Sequence, residues 1–352
     1  MLIGDNTNMF ITFIEAGIAE LVEYLQAHVV TCLIPAFFIA GAIAVFISKQ
    51  AILKYFGSQA KKRVSYSVAS VSGCILAACS CTVIPLFAGI YRRGAGIGPA
   101  TAFLYSGPAI NILAIVFTGQ VLGVEIGVAR ALLAIVMAIV IGLIMAFLFG
   151  KDEQEKKASA VTYADSEDNP YIKIVFFLNL ILILVVGASG TGPVIKWPLL
   201  LMLIILLVVI TVKWQSPSDT KQWLSETAHL AKLIVPYLLI GVFAAGIIKE
   251  FIPPAYVSGY VGGNSVMANF IAAVAGAFMY FATLTEVPIV ESLMSLGMGK
   301  GPELALLLAG PALSLPNMLA IRQVLGTQKT LTYIGLVVVF ATVSGILYGG
   351  IA

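Results

Sequence analysis

Long apolar runs separated by short polar stretches set the pattern of this chain. Ala131–Phe149, Ile174–Gly187 and Trp197–Val212 carry no charged residue. Val29–Ser48, Leu233–Ile248 and Leu331–Ile351 have the same character. Roughly 20 apolar residues in helical form cross a bilayer core of about 30 Å. No period-two alternation of the kind a barrel needs is present, so helices are the predicted element throughout. At the start of the chain, Phe10, Phe13, Ile14, Ile18, Leu21, Val22 and Leu25 fall at helical spacing, with Glu15 and Glu23 on another face. They predict an amphipathic N-terminal helix over 1–28 lying at the membrane surface, the alternative being a first span. The same residues lack the basic start of a cleavable signal peptide.

A repeat runs through the pattern at a fixed offset of 203 residues. TVIPLFAGIYRRGAGIGPATAFLYSGPAINI from Thr82 matches TEVPIVESLMSLGMGKGPELALLLAGPALSL from Thr285. Pro85 pairs with Pro288, Gly94 with Gly297, Gly98-Pro99 with Gly301-Pro302, and Gly107-Pro108 with Gly310-Pro311. Proline lacks an amide hydrogen and clashes with the preceding turn. The Gly107-Pro108 and Gly310-Pro311 pairs therefore predict broken helices over Pro99–Thr118 and Pro302–Ile321.

The distribution of Lys and Arg fixes the orientation, because cytoplasmic loops are enriched in both. If Val64–Tyr91 and Asn264–Leu296 are re-entrant hairpins, only Lys196, Lys249 and Lys300 fall on the outer side. Arg130 lies just inside a span, and every other Lys and Arg falls on the inner side. If both segments cross fully, the charges divide almost evenly. The hairpin arms are also too short to cross alone. The predicted fold is an all-α polytopic membrane protein. It has two inverted-topology repeats with re-entrant hairpins and Gly-Pro-broken helices, plus two connecting transmembrane helices. The expected divisions are the N-terminal helix 1–28, a first membrane repeat 29–150 and a cytoplasmic linker 151–171. Two connecting helices 172–213, a cytoplasmic loop 214–230 and a second membrane repeat 231–352 follow. Inverted repeats with interrupted helices are a transporter architecture, with the solute site near the midplane.

Composition sharpens the reading. The chain is 60% hydrophobic and 11% charged, against about a quarter charged for a soluble domain. The net charge of +3 sits in loops and gives no nucleic-acid surface. Cys32, Cys74, Cys79 and Cys81 all lie in apolar segments rather than in the loops of a disulfide framework. No nucleotide, metal or cofactor motif occurs. The expectation is a permease, not an enzyme, with no cofactor and no metal site. Its partners are membrane lipid, a small solute and protons.

The candidate chemistry lies at the hairpin tips and helix breaks. Cys79 and Cys81 flank one residue, so two sulfurs can approach one soft centre, and Cys74 adds a third thiol. The alternative for all three is packing, since Cys is also a small hydrophobe. In the second tip Glu286 stands where the first has Val83. A carboxylate within a membrane segment is costly and points to a proton or cation site, the alternative being a bond to a neighbouring hydroxyl such as Thr283 or Thr285. Thr82 and Thr285 are further candidates beside the tips. Asn111 and Asn317 follow the Gly-Pro pairs, where an amide replaces lost backbone partners or touches solute. Glu291 lies nearer the surface. Arg130 and Glu125, five apart on one helix, read as an interface anchor or weak pair.

The tip CSCTVIPLFAGIYRRGAGIGPATAFLYSGPAINI resembles the predicted-permease family that includes the trivalent organoarsenical efflux permeases of bacteria. The EVP, GKGP and LAGPALSLPN segments of the second half extend the likeness over most of the chain. The resemblance implies a bacterial or archaeal inner-membrane permease that exports a small thiol-reactive species, with Cys79 and Cys81 as candidate ligands. Two other readings stay open: a permease or channel for an unrelated solute, and a membrane thiol oxidoreductase using the Cys-x-Cys pair.

Overall fold

A computed structural model describes residues 2–26, 33–47, 56, 61–75, 80–157, 170–189, 192–251, 260–279 and 286–352. The chain is an all-α polytopic membrane protein. Among the described residues, Val124–Gly150, Pro193–Trp214, Pro217–Ile247 and Thr327–Gly349 are long and apolar enough to cross a membrane. Two bent helix pairs bring the number of such spans up to 6.

After α1 (Leu2–Tyr24), the first half comprises α2 (Ile34–Phe46), α3 (Lys62–Ile75), α4 (Ser80–Arg92), α5 (Ile97–Ala109), α6 (Ile112–Val121) and α7 (Val124–Lys157). Two connecting helices follow, α8 (Pro170–Ala188) and α9 (Pro193–Trp214). The second half repeats the order: α10 (Pro217–Phe251), α11 (Val266–Phe278), α12 (Glu286–Ser295), α13 (Lys300–Leu313), α14 (Leu315–Leu325) and α15 (Thr327–Gly349). The short helices α3 and α4 have 14 and 13 residues, and α11 and α12 have 13 and 10. At about 1.5 Å per residue none reaches across a bilayer core of about 30 Å.

The repeat is visible in the backbone. Gly94 and Gly297 carry positive φ (110° and 101°), as do Gly123 and Gly326 (116° and 82°). Each pair is separated by the sequence offset. These turns end one helix and start the next, and only glycine takes that conformation without steric cost. Helix crossings repeat too. A Cβ built on Gly142 would stand 2.7 Å from Gly98 O, and one on Gly345 would stand 2.6 Å from Gly301 O. The missing side chains let α7 lie directly on α5, and α15 on α13, the usual way helices approach closely in lipid. Tyr66 of α3 donates to Gly142 O at 3.2 Å. Its counterpart Asn269 of α11 occupies the equivalent place beside Gly345.

The two halves meet along α5 and α13 and along α7 and α15. There the Tyr105 hydroxyl donates to Leu308 O at 3.2 Å. These two positions are repeat counterparts, so the contact marks the pseudo-two-fold axis. The short helices cross over: α4 packs on α14 of the other half, and α12 packs on α6.

Three expectations are corrected. The Gly-Pro pairs are not the breaks themselves. Pro108 and Pro311 lie inside α5 and α13, and the bends of 42° and 49° come a few residues later, around Asn111 and at Ser314. Proline's own φ is helical and its clash is with the turn before it. The chain therefore runs through proline and leaves at the polar residue that precedes the next helix, Asn111 or Ser314. The stretch 214–230 is not a loop, because α10 starts at Pro217. Ser216 accepts from the Asp219 amide at 3.1 Å, Pro217 opens the helix, and Asp219 sits in the first turn, a strong start signal. The linker also begins later than 151, since α7 continues through Lys157. Lys151–Lys157 contains no glycine or proline to stop it.

Trp223 clamps the early part of α10 to the rest. Its indole donates to Phe38 O at 2.8 Å, and its ring meets Phe38 and Phe176 edge-on at 5.4 and 5.0 Å. This joins α2, α8 and α10. The N-terminal helix α1 packs along α10, with Gly17 against Phe243 and Gly246 against Glu20.

Candidate functional site

Glu286 is the first residue of α12, on the helix that crosses into the other half. Pro288 stands at the third helical position, where its missing N–H has no intrahelical partner to lose. Both the Glu286 and Arg130 side chains are fully enclosed. Arg130, two turns into α7, forms a salt bridge with Glu286 through Nη2 and Oε1. Its Nη1 donates to Thr118 Oγ1 at 2.9 Å, and Thr118 donates onward to Ala114 O at 2.7 Å, along α6. Among the described residues, Arg130 Nε and Glu286 Oε2 have no hydrogen-bond partner. The pair joins the two halves through α6, α7 and α12.

The energetics of such a pair are finely balanced. Taking two ions out of water costs several kcal/mol each even after relaxation, and their attraction only roughly offsets this. Removing either partner leaves an uncompensated charge. The arrangement is therefore stable as a pair and sensitive to anything that neutralises one member, such as a proton on Glu286.

Arg130 is a correction to the sequence reading. Glu125 is exposed, and Arg130 bonds to Thr118 and Glu286 rather than acting as an interface anchor with Glu125. Positions five apart point to different sides of a helix. The findable signal was a lone Arg and a lone Glu in separate apolar segments, two charges that bilayer chemistry drives together.

The matching place in the other repeat has no charge. The counterparts of Glu286, Arg130 and Thr118 are Val83, Tyr333 and Ile321, all buried. Val83 lies against Gly107, where a Cβ would come within 2.9 Å of its methyls. The Tyr333 hydroxyl has no partner among the described residues.

Of the other predicted site residues, Thr82 is buried next to Val83 on α4. Asn111 is buried and its Oδ1 accepts from the Ala114 amide at 3.4 Å, so it caps α6. Its repeat counterpart is Ser314, which precedes α14, rather than Asn317, which is buried one turn further along. Pro85 lies inside α4, and Gly107 and Gly310 lie inside α5 and α13. Cys74 falls in the last turn of α3 and Cys81 in the first turn of α4. Cys79 and Thr285, with Cys32, lie outside the described residues.

Apolar helices of spanning length, arranged as two matching halves that share an enclosed ion pair, define a multi-pass membrane protein of the transporter class. The chain belongs to the predicted permease family, whose model matches residues 15–350. It is 50% identical over 359 residues to the UPF0718 protein MJ0584 of Methanocaldococcus jannaschii, covering 98% of each chain. It is 27% identical over 275 residues to the UPF0718 protein YraQ of Escherichia coli, covering 78% of this chain and 63% of that one. No solved structure matches it.

Proposed function

We propose that this permease is a secondary transporter that exports a small, soft, thiol-reactive solute, a trivalent organoarsenical or related metalloid, across a bacterial or archaeal cytoplasmic membrane. Alternating access arises as the two inverted halves rock against each other. Proton entry drives the cycle through Glu286. The observation that carries this reading is the Arg130–Glu286 pair, enclosed and shared between the halves. A proton on Glu286 cancels the attraction that ties α12 to α7, so protonation and rearrangement become one event. Soft thiols at the first hairpin tip, Cys79 and Cys81, supply the affinity for a thiol-reactive cargo. Thr82, Thr285, Asn111 and Asn317 add polar atoms around it.

Everted vesicles energised by a proton gradient test the proposal with methylarsenite. The native protein is expected to accumulate it. Cys79→Ser/Cys81→Ser loses uptake because ligation is lost. Glu286→Gln loses gradient dependence because no proton can be exchanged there. Normal accumulation by the double Cys variant would rule out thiol ligation. Normal gradient dependence in Glu286→Gln would rule out Glu286 as the coupling group.

A further inference from the structure

We infer that one face of α12 lines a hydrated entrance that runs beside the Arg130–Glu286 pair, with Glu291 setting its charge preference. It rests on the permease reading for its purpose, but its geometry stands separately.

The helix has two unlike faces. Val287, Val290 and Leu293 are buried against the protein, whereas Pro288, Glu291, Ser292 and Ser295 are exposed. The exposed positions follow i, i+3, i+4, i+7 and so form one stripe. The first repeat carries the same stripe on α4 as Pro85, Ala88, Gly89 and Arg92, and there Pro85, Ala88 and Gly89 are buried. Helix α2 covers it, so closely that a Cβ on Gly89 would stand 2.7 Å from Ala40 O. Its counterpart α10 does not take the matching place on α12. It packs on α14 instead, with Gly241 against Pro316.

The residue chemistry follows the difference in cover. Where α2 sits, the stripe is Ala88 and Gly89. Where nothing comparable sits among the described residues, it is Glu291 and Ser292. A carboxylate facing hydrocarbon costs several kcal/mol, whereas one facing water costs nothing. The uncovered stripe therefore faces water. Glu291 is about 7–8 Å along the helix from Glu286 and on a different side of it, so the wetted stripe runs alongside the enclosed pair with the helix between them. On the hairpin topology it opens opposite the Lys- and Arg-rich side. A carboxylate at the mouth repels anions, so the species that enters is a neutral solute, a cation or a proton.

Single cysteines placed at 292, 295, 293 and 88 of the otherwise native chain test this in membrane vesicles. Impermeant cationic and anionic methanethiosulfonates are applied from each side. Mass spectrometry of peptides separates these sites from the native thiols. Ser292→Cys and Ser295→Cys are expected to react from the outer side about tenfold faster than Leu293→Cys or Ala88→Cys, whose positions are packed. The cationic reagent should lead the anionic one by about threefold at Ser292→Cys, and Glu291→Gln should abolish that lead. If Ser292→Cys reacts no faster than Leu293→Cys, the stripe is covered by lipid or by another copy of the chain, and the entrance is refuted. Equal rates for both reagents with Glu291 intact would overturn its role in charge preference. Labelling needs no cargo, so a failure of methylarsenite uptake leaves this result standing.

Discussion

Arg130→Met is expected to destabilise the protein by about 3–5 kcal/mol, because it leaves Glu286 buried without its partner. The double variant Arg130→Met/Glu286→Leu should recover most of that loss, since apolar residues of similar size replace a buried pair at little net cost. Thermal unfolding of the purified protein in detergent checks both. Transport should not recover with stability. The double variant folds, yet it has no carboxylate to take a proton and no charge linking α7 to α12. A double variant that transports normally would reduce the pair to a structural fixture. A single variant that unfolds like the native protein would show that the Arg130–Glu286 contact contributes little.

The second large effect is expected at the glycine crossings. Gly345→Leu would place a Cβ 2.6 Å from Gly301 O and 2.9 Å from the Ala305 Cβ. The first of these is backbone and cannot move aside. Gly142→Leu meets Gly98 O in the same way. Each should lose about 1–3 kcal/mol or more and much of its folded yield, since overpacking at a helix crossing forces the helices apart. Gly335→Leu on the same helix as Gly345 meets nothing within 4 Å and should behave like the native protein. Size-exclusion profiles of the three variants decide the matter. A normal profile for Gly345→Leu would show that α13 and α15 do not need the close approach.

Much of the architecture was legible because the repeat is written in glycine and proline, whose conformational demands are local. Gly94/Gly297 and Gly123/Gly326 keep their special φ at the same offset, and the shortness of α3, α4, α11 and α12 follows from chain length. What escaped depends on distance. Arg130 finds its partner 156 residues away, and its own helix offers nearby only the exposed Glu125, which lies on another side. The offset alone gives Ser314 as the counterpart of Asn111, while Asn317 lies one turn further along. The early start of α10 was readable from Ser216-Pro217 and Asp219, but the polar surface of its first turns resembles a loop. The uncovered stripe on α12 was beyond the sequence. The choice of α10 to pack on α14 rather than on α12 is made by whole helices, not by any local pattern.

The unequal chemistry of the two halves also bears on why they are joined. Two copies of the first half alone would bring two Arg130 guanidinium groups to the centre with no Glu286 to meet them. Two copies of the second would bring two Glu286 carboxylates with no Arg130. Neither assembly could balance its interior. The covalent tether through α8 and α9 thus enforces a one-to-one stoichiometry of opposite charges, which separate, interchangeable subunits would have no means to guarantee.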